Sequence, residues 1–151
     1  MALDINKCVK AATMPIVVLV VLGIIAVIAG FVPLLGILAG LVILLADLVV
    51  LGWAGFMSVK QHGLDLVGGA VTGAIAGLVG SIIVGVIGLV LSFLGIGAAT
   101  AAMTATGMSG AAWGTALLIA QIVGLIFGVV FYTVVGAICG AAGAYVAQMK
   151  K

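Results

Sequence analysis

Residues 66–94 read LVGGAVTGAIAGLVGSIIVGVIGLVLSFL, an apolar and small-residue run without a single charged side chain. A helix over this run would be about 43 Å long at roughly 1.5 Å per residue, more than the ~30 Å hydrocarbon core of a bilayer. A helix on the surface of a soluble protein needs a polar face, and this run has none. The run therefore predicts a helix that spans a membrane.

Three further apolar runs, at about 14–30, 34–57 and 113–145, accompany it. The whole chain has 151 residues, of which 67% are hydrophobic and 5% are charged, whereas about a quarter of the residues of a soluble domain are charged. We therefore expect an all-α, polytopic transmembrane bundle of about four spans that forms one domain over residues 1–151. The expected partner is the lipid bilayer. A net charge of +2 and the lack of arginine give no reason to expect nucleic acid.

The lysines predict the orientation of the bundle. With four spans all five lysines fall on one side, which is the cytoplasmic side by the positive-inside rule. Three or five spans would divide them between the two sides. The sequence thus predicts a multi-pass protein of the cell membrane with both termini in the cytoplasm. The lysines are Lys7, Lys10, Lys60, Lys150 and Lys151.

The segments between the runs predict connections of different kinds. Residues 1–12 read as a polar leader, residues 58–65 as a polar loop, and Pro33 fits the first turn of the second helix. The last run would make a helix of about 48 Å, too long for one upright span. Either this helix projects from the membrane, or its first part is a separate interfacial or re-entrant piece. The sequence leaves open which of these structures residues 95–120 adopt.

Small residues recur every four positions on the third and fourth runs. Positions four apart form one ridge on a helix, and small side chains let helix backbones approach closely in lipid. These ridges predict helix packing, either between the third and fourth spans or against another subunit. The third run carries Gly69, Gly73, Gly77, Ser81 and Gly85, and the fourth carries Gly124, Gly128, then Tyr132, then Gly136 and Gly140.

Asp47 is the one ionisable residue inside a predicted span. It lies about 21 Å along the helix from Pro33 at roughly 1.5 Å per residue, which suggests the cytoplasmic half of the span. A carboxylate inside a membrane costs roughly 2.5–3.5 kcal/mol and is by default a functional candidate. Thr72 is expected at a similar depth as its hydrogen-bond partner. Asp47 is thus either an ion-binding group or a structural polar group that fixes helix register.

No catalytic constellation emerges from the sequence. One aspartate in a span, one loop histidine (His62) and no glutamate do not supply a nucleophile with a base. We expect neither an enzyme, nor a cofactor, nor a bound metal. The leading hypothesis is a non-enzymatic integral membrane protein, either a homo-oligomer or an accessory subunit of a membrane complex, held by small-residue helix packing. The alternative is a channel or transporter for ions or small solutes that uses Asp47.

Two segments, GWAGF at 52–56 and GGAVTGAIAG at 68–77, carry a resemblance. They are similar to small uncharacterised four-span, glycine-rich membrane proteins of archaea and bacteria, which implies a four-span fold without implying an activity. A carboxylate on the second of four spans also resembles the proteolipid of rotary ATPases. In that family the glycine-rich helix precedes the carboxylate helix, whereas here the glycine-rich span follows it.

Overall fold

Four α-helices make up the described part of the chain. The computed structural model describes residues 4–30, 33–105 and 110–149. The helices are α1 (Ile5–Gly30), α2 (Pro33–His62), α3 (Leu66–Ala105) and α4 (Gly110–Met149). Each of them is, by length and composition, able to cross a membrane. Among the described residues, the prediction of an all-α fold with four helices long and apolar enough to span a membrane is thus confirmed, and α2 begins at Pro33 as expected.

Helix α1 begins at Ile5, so the prediction of a polar leader separate from the first helix is wrong for residues 5–12. Residues 1–3 lie outside the described residues. The backbone N–H of Lys7 donates to Asp4 Oδ1 at 3.3 Å, and Lys7 Nζ lies 3.5 Å from Asp4 Oδ2. An aspartate in this position satisfies an N–H of the first turn that has no partner within the helix. The cap therefore lets the helix extend through residues that look polar in the sequence.

Gly63 ends α2 in the left-handed conformation, with φ of 64°. The N–H of Gly63 donates to the carbonyl oxygen of Val59 at 3.1 Å, the five-to-one bond of an αL cap, and the N–H of Leu64 donates to the carbonyl oxygen of Ser58 at 3.2 Å. Glycine adopts this φ without steric cost, whereas other residues rarely do. The predicted polar loop over 58–65 is therefore wrong for its first five residues, which are helical, and the turn is confined to residues 63–65.

Asp65 begins α3 in the same way as Asp4 begins α1. Its Oδ1 accepts a hydrogen bond from the N–H of Gly68 at 2.8 Å. Beside this cap the thiol of Cys8 lies 3.8 Å from the carbonyl oxygen of Gly68, so the first turns of α1 and α3 meet. The two helices therefore run in the same direction from the same end of the bundle.

Helices α3 and α4 are each 40 residues long, or about 60 Å at roughly 1.5 Å per residue. The third helix continues to Ala105 instead of ending near residue 94, because residues 95–105 are rich in alanine, a strong helix former, and contain no proline. The fourth is a single helix from Gly110, so of the two alternatives left open for the last run, a separate first piece is not found among the described residues. Residues 106–109 of the segment left open by the sequence lie outside the described residues.

Helices α2 and α3 occupy the middle of the bundle. Each of them packs against the other three helices, whereas α1 and α4 make no contact with each other among the described residues. The buried core between the helices includes Leu19, Leu51 and Ala76. Because α1 and α4 stand apart, the bundle is not closed on the side where they face each other.

The ends of the helices that carry lysine meet at one end of the bundle, which we call the lysine end. The last turns of α4 reach it, because Ala144 and Ala147 pack there against Val59 near the end of α2. The even number of helices thus brings both termini of the described chain to the same end. The described lysines at this end are Lys7, Lys10 and Lys60, while Lys150, Lys151 and the 31–32 link lie outside the described residues.

Candidate functional site

The small-residue series of α3 packs against α4 over the half nearer the lysine end. A Cβ atom added to Gly73 would overlap the carbonyl oxygen of Gly136 and would lie 2.8 Å from Gly140 Cα. These are backbone atoms, which cannot rotate out of the way. Close approach of the two helices therefore requires glycine here. The opposed positions are Gly69 with Gly140, Gly73 with Gly136, and Gly77 with Tyr132.

Helix α2 joins the same interface through glycines that the sequence reasoning missed. A Cβ on Gly55 would lie 2.7 Å from Gly140 Cα, and a Cβ on Gly143 would overlap the carbonyl oxygen of Gly52. Gly140 is thus pressed by backbone from α2 on one side and from α3 on the other. The three-residue spacings from Gly52 to Gly55 and from Gly140 to Gly143 were the available signal, because i±3 rows also form ridges on a helix.

Gly124 and Gly128 pack against no other helix in the part of the chain that the structure describes, although they continue the predicted ridge. A Cβ on either residue would meet nothing within 4 Å among the described residues. Four residues turn an α-helix by about 40° more than a full revolution. Over the four steps from Gly140 to Gly124 the ridge rotates by about 160° and leaves the face that contacts α3. Their assignment as packing residues is thus corrected for contacts inside the chain.

Ser81 and Gly85 lie where the backbone of α3 no longer contacts the backbone of α4. A Cβ on Gly85 would lie 3.0 Å from Leu125 Cδ1, a side-chain contact rather than a backbone contact. The hydroxyl of Ser81 donates to the carbonyl oxygen of Leu78 in its own helix at 3.0 Å. Beyond Gly77, the two helices are therefore held apart by side chains.

This separation leaves a cavity of about 520 Å³ between α1, α3 and α4. It extends from the level of Gly77 to that of Gly88, about 16 Å at roughly 1.5 Å per residue, away from the lysine end. Asp47 is the contribution of α2 to its lining among the described residues. The walls are mostly glycine and aliphatic side chains, among them Gly80, Val84, Gly85, Leu125, Gly128 and Val129.

Asp47 and Tyr132 form the floor of this cavity. The hydroxyl of Tyr132 donates to Asp47 Oδ2 at 3.0 Å, which ties α2 to α4. Only 8% of Asp47 is exposed. Its Oδ1 atom is buried and has no hydrogen-bond partner among the described residues. A buried polar atom without a partner is uncommon in native proteins, and each case calls for an explanation.

The expected bond between Asp47 and Thr72 is not formed. The Thr72 hydroxyl donates instead to the carbonyl oxygen of Gly68, four residues earlier in its own helix, at 2.7 Å. The register of α3 against α4 brings Gly77 to the level of Tyr132 and Asp47. Thr72 lies five residues nearer the turn, about 7.5 Å below at roughly 1.5 Å per residue, and cannot reach the carboxyl group.

Asp47 lies near the middle of α2, about 21 Å from Pro33 and 23 Å from His62 at roughly 1.5 Å per residue. It was identified from the sequence, but Tyr132 was seen only as an interruption of the small-residue series. That interruption was the usable signal, because a tyrosine inside a span needs a hydrogen-bond partner for its hydroxyl. Asp47, on the neighbouring helix α2, is the partner of this hydroxyl.

The site consists of the carboxyl group of Asp47, the phenol group of Tyr132 and mostly apolar walls. Among the described residues, no group of three or more histidine, cysteine, aspartate or glutamate side chains is placed to hold a metal ion. Comparisons with protein-family models, with curated proteins and with solved structures found no match. The geometry of the cavity and its floor is therefore the feature from which a function can be inferred.

Proposed function

We propose that this multi-pass membrane protein is non-enzymatic and admits an ion or small solute to the cavity above Asp47, acting as a channel or transporter. The observation that carries this proposal is the cavity of about 520 Å³ that ends on a buried carboxyl group. Ligand sites are typically cavities of roughly 300–1,000 Å³ with apolar walls and a few placed polar groups. Ionisable residues that face a cavity inside a membrane typically mark solute or proton pathways.

The test is flux through liposomes that contain the purified protein. A pH-sensitive dye inside the liposomes reports protons, while labelled methylammonium and glycerol report a small cation and a small neutral solute. We expect faster flux of at least one of these probes than through empty liposomes. We expect Gly128→Leu to abolish it, because the new side chain enters the cavity without meeting any described atom at its Cβ.

The matched control is Gly40→Leu. A Cβ at Gly40 also meets nothing within 4 Å, but Gly40 does not line the cavity. This variant should keep the flux of the unmodified protein. Equal flux through both leucine variants, or no flux of any probe through the unmodified protein, would refute a pathway through the cavity.

A second candidate function is assembly, as a homo-oligomer or as an accessory subunit of a membrane complex. The observation that favours it is the open side of the bundle between α1 and α4, where Gly124 and Gly128 line the cavity and a Cβ on either would meet no described residue within 4 Å. Small residues on a lipid-facing helix allow close packing against another helix. A mass larger than one chain in mild detergent, combined with no flux of any probe, would favour assembly over transport.

We further propose that the protein lies in the cell membrane with its lysine end toward the cytoplasm, by the positive-inside rule. In a background with Cys8→Ala and Cys139→Ala, a cysteine at Gln61 or Met149 should react only with membrane-permeant reagents in intact cells. A cysteine at Thr106, which lies outside the described residues, should react with impermeant reagents. Labelling of position 61 by an impermeant reagent would show that the lysine end faces outward and would refute the proposed orientation.

A further inference from the structure

The charge around the cavity selects the kind of ligand that it can hold. Asp47 is the one side chain among the described lining residues that can carry a charge at neutral pH, and that charge is negative. The described lysines lie at the lysine end, away from the cavity. An anion entering the cavity would find no positive partner, so the site disfavours anions.

The donor set also argues against a metal cation. Hard cations such as Ca²⁺ take six to eight oxygen ligands, and Mg²⁺ demands near-octahedral coordination. The lining supplies the carboxyl group of Asp47, the hydroxyl groups of Tyr132 and Ser81, and the side-chain amide of Gln121. These side chains offer five oxygens in all, fewer than such cations take, and both hydroxyls already donate hydrogen bonds within the chain, Tyr132 to Asp47 and Ser81 to Leu78.

The walls favour a ligand with an apolar body. Glycines such as Gly88 and Gly128 leave room beside the backbone, and Leu125 and Val129 present aliphatic side chains. A hydrophilic solute would lose its hydration in such a cavity without gaining hydrogen bonds, which is costly. An apolar body gains contacts there and leaves water at the same time.

The floor provides a place for one cationic head. Tyr132 occupies Asp47 Oδ2, while Oδ1 has no partner among the described residues. The terminal torsion of a carboxyl group is broad, so a small rotation can turn one oxygen toward the cavity while the other keeps Tyr132. An ammonium group bound to this carboxylate would form a charge-assisted hydrogen bond and would leave the buried site electrically neutral.

We infer that the cavity binds a small organic cation, a protonated amine carried on a compact apolar body. This inference rests on the proposed function, because it names the solute class that would enter the same cavity. In it Asp47 binds the ammonium group, Tyr132 positions the carboxyl group, and the apolar body lies between α1, α3 and α4.

The test uses three probes that share one apolar cage and differ in charge: adamantan-1-amine, adamantan-1-ol and adamantane-1-carboxylate. Their binding to the full-length protein in lipid nanodiscs is measured by equilibrium dialysis, with binding to empty nanodiscs subtracted. The amine should bind at least tenfold more tightly than the alcohol, and the carboxylate should show no binding above empty nanodiscs. A tenfold difference is the size expected for a charge-assisted hydrogen bond.

Two variants locate the binding. Asp47→Asn should lower the affinity for the amine by tenfold or more and leave the affinity for the alcohol unchanged, because only the interaction with the charged ammonium group is lost. Gly128→Leu should lower the affinity for both the amine and the alcohol, whereas Gly40→Leu should lower neither affinity. A melting curve for each variant separates a lost site from a lost fold.

The outcomes for ligand class and for transport are separate. If the alcohol binds as tightly as the amine, or if Asp47→Asn leaves amine binding unchanged, the cationic ligand is refuted while flux through the cavity can still stand. If the amine binds as expected but no probe crosses liposomes, the transport function fails and the ligand class stands. Absence of amine binding to the unmodified protein refutes the inference outright.

Discussion

Replacing Gly140 by leucine is expected to destabilise the bundle more than any other single substitution considered for this chain. A Cβ on Gly140 would overlap the carbonyl oxygen of Gly69 and would lie 2.9 Å from Gly73 Cα, so the new side chain would push α3 away from α4. The backbone of Gly140 also lies against Gly55 of α2, which limits how far α4 can shift to make room. Overpacking typically costs about 1–3 kcal/mol, and more where backbone must move. We expect a lower melting temperature in detergent and a reduced yield of folded protein.

The control for Gly140→Leu is again Gly40→Leu, which adds the same side chain to an exposed face of α2. Both variants increase helix propensity by a similar amount, so propensity cannot explain a difference between them. A melting temperature for Gly140→Leu that matches that of Gly40→Leu would show that the three helices do not meet at Gly140.

Replacing Asp47 by asparagine is expected to abolish flux and to weaken amine binding while leaving the fold intact. Asparagine keeps a carbonyl oxygen that can accept the hydrogen bond of Tyr132, but it cannot carry a negative charge. The loss should therefore appear in function, as a drop of tenfold or more in amine affinity. Liposome flux, nanodisc binding and the melting temperature are measured on the same preparation.

Asp47→Leu and Tyr132→Phe complete this comparison. Leucine leaves the Tyr132 hydroxyl buried without a partner, which should cost about 1–3 kcal/mol of stability in addition to function. Phenylalanine at position 132 removes the positioning bond but keeps the charge of Asp47, so it should weaken amine binding less than Asp47→Asn does. Normal flux through Asp47→Asn would assign the carboxyl group a structural role only.

Local features of the sequence were sufficient for the membrane architecture. The absence of charge over residues 66–94 requires a helix in lipid, since every backbone polar group must there be bonded within the segment. Asp47 could be identified for a similar reason, because a single carboxyl group in an apolar run stands out without knowledge of its neighbours. The helix ends were harder to place, since the caps at Asp4 and Asp65 and the turn at Gly63 depend on a few hydrogen bonds.

The period-four ridges show what the sequence by itself determined and what only the tertiary structure decided. The sequence determined four apolar helices, the positions of small residues along them and a carboxyl group inside one span. The partner of each position depends on how far each helix is shifted and rotated against its neighbours, which spacing along one helix does not specify. Tertiary packing therefore decided that Gly73 and Gly140 meet while Gly124 meets none of the described residues, and that Tyr132, 85 residues away along the chain, bonds Asp47.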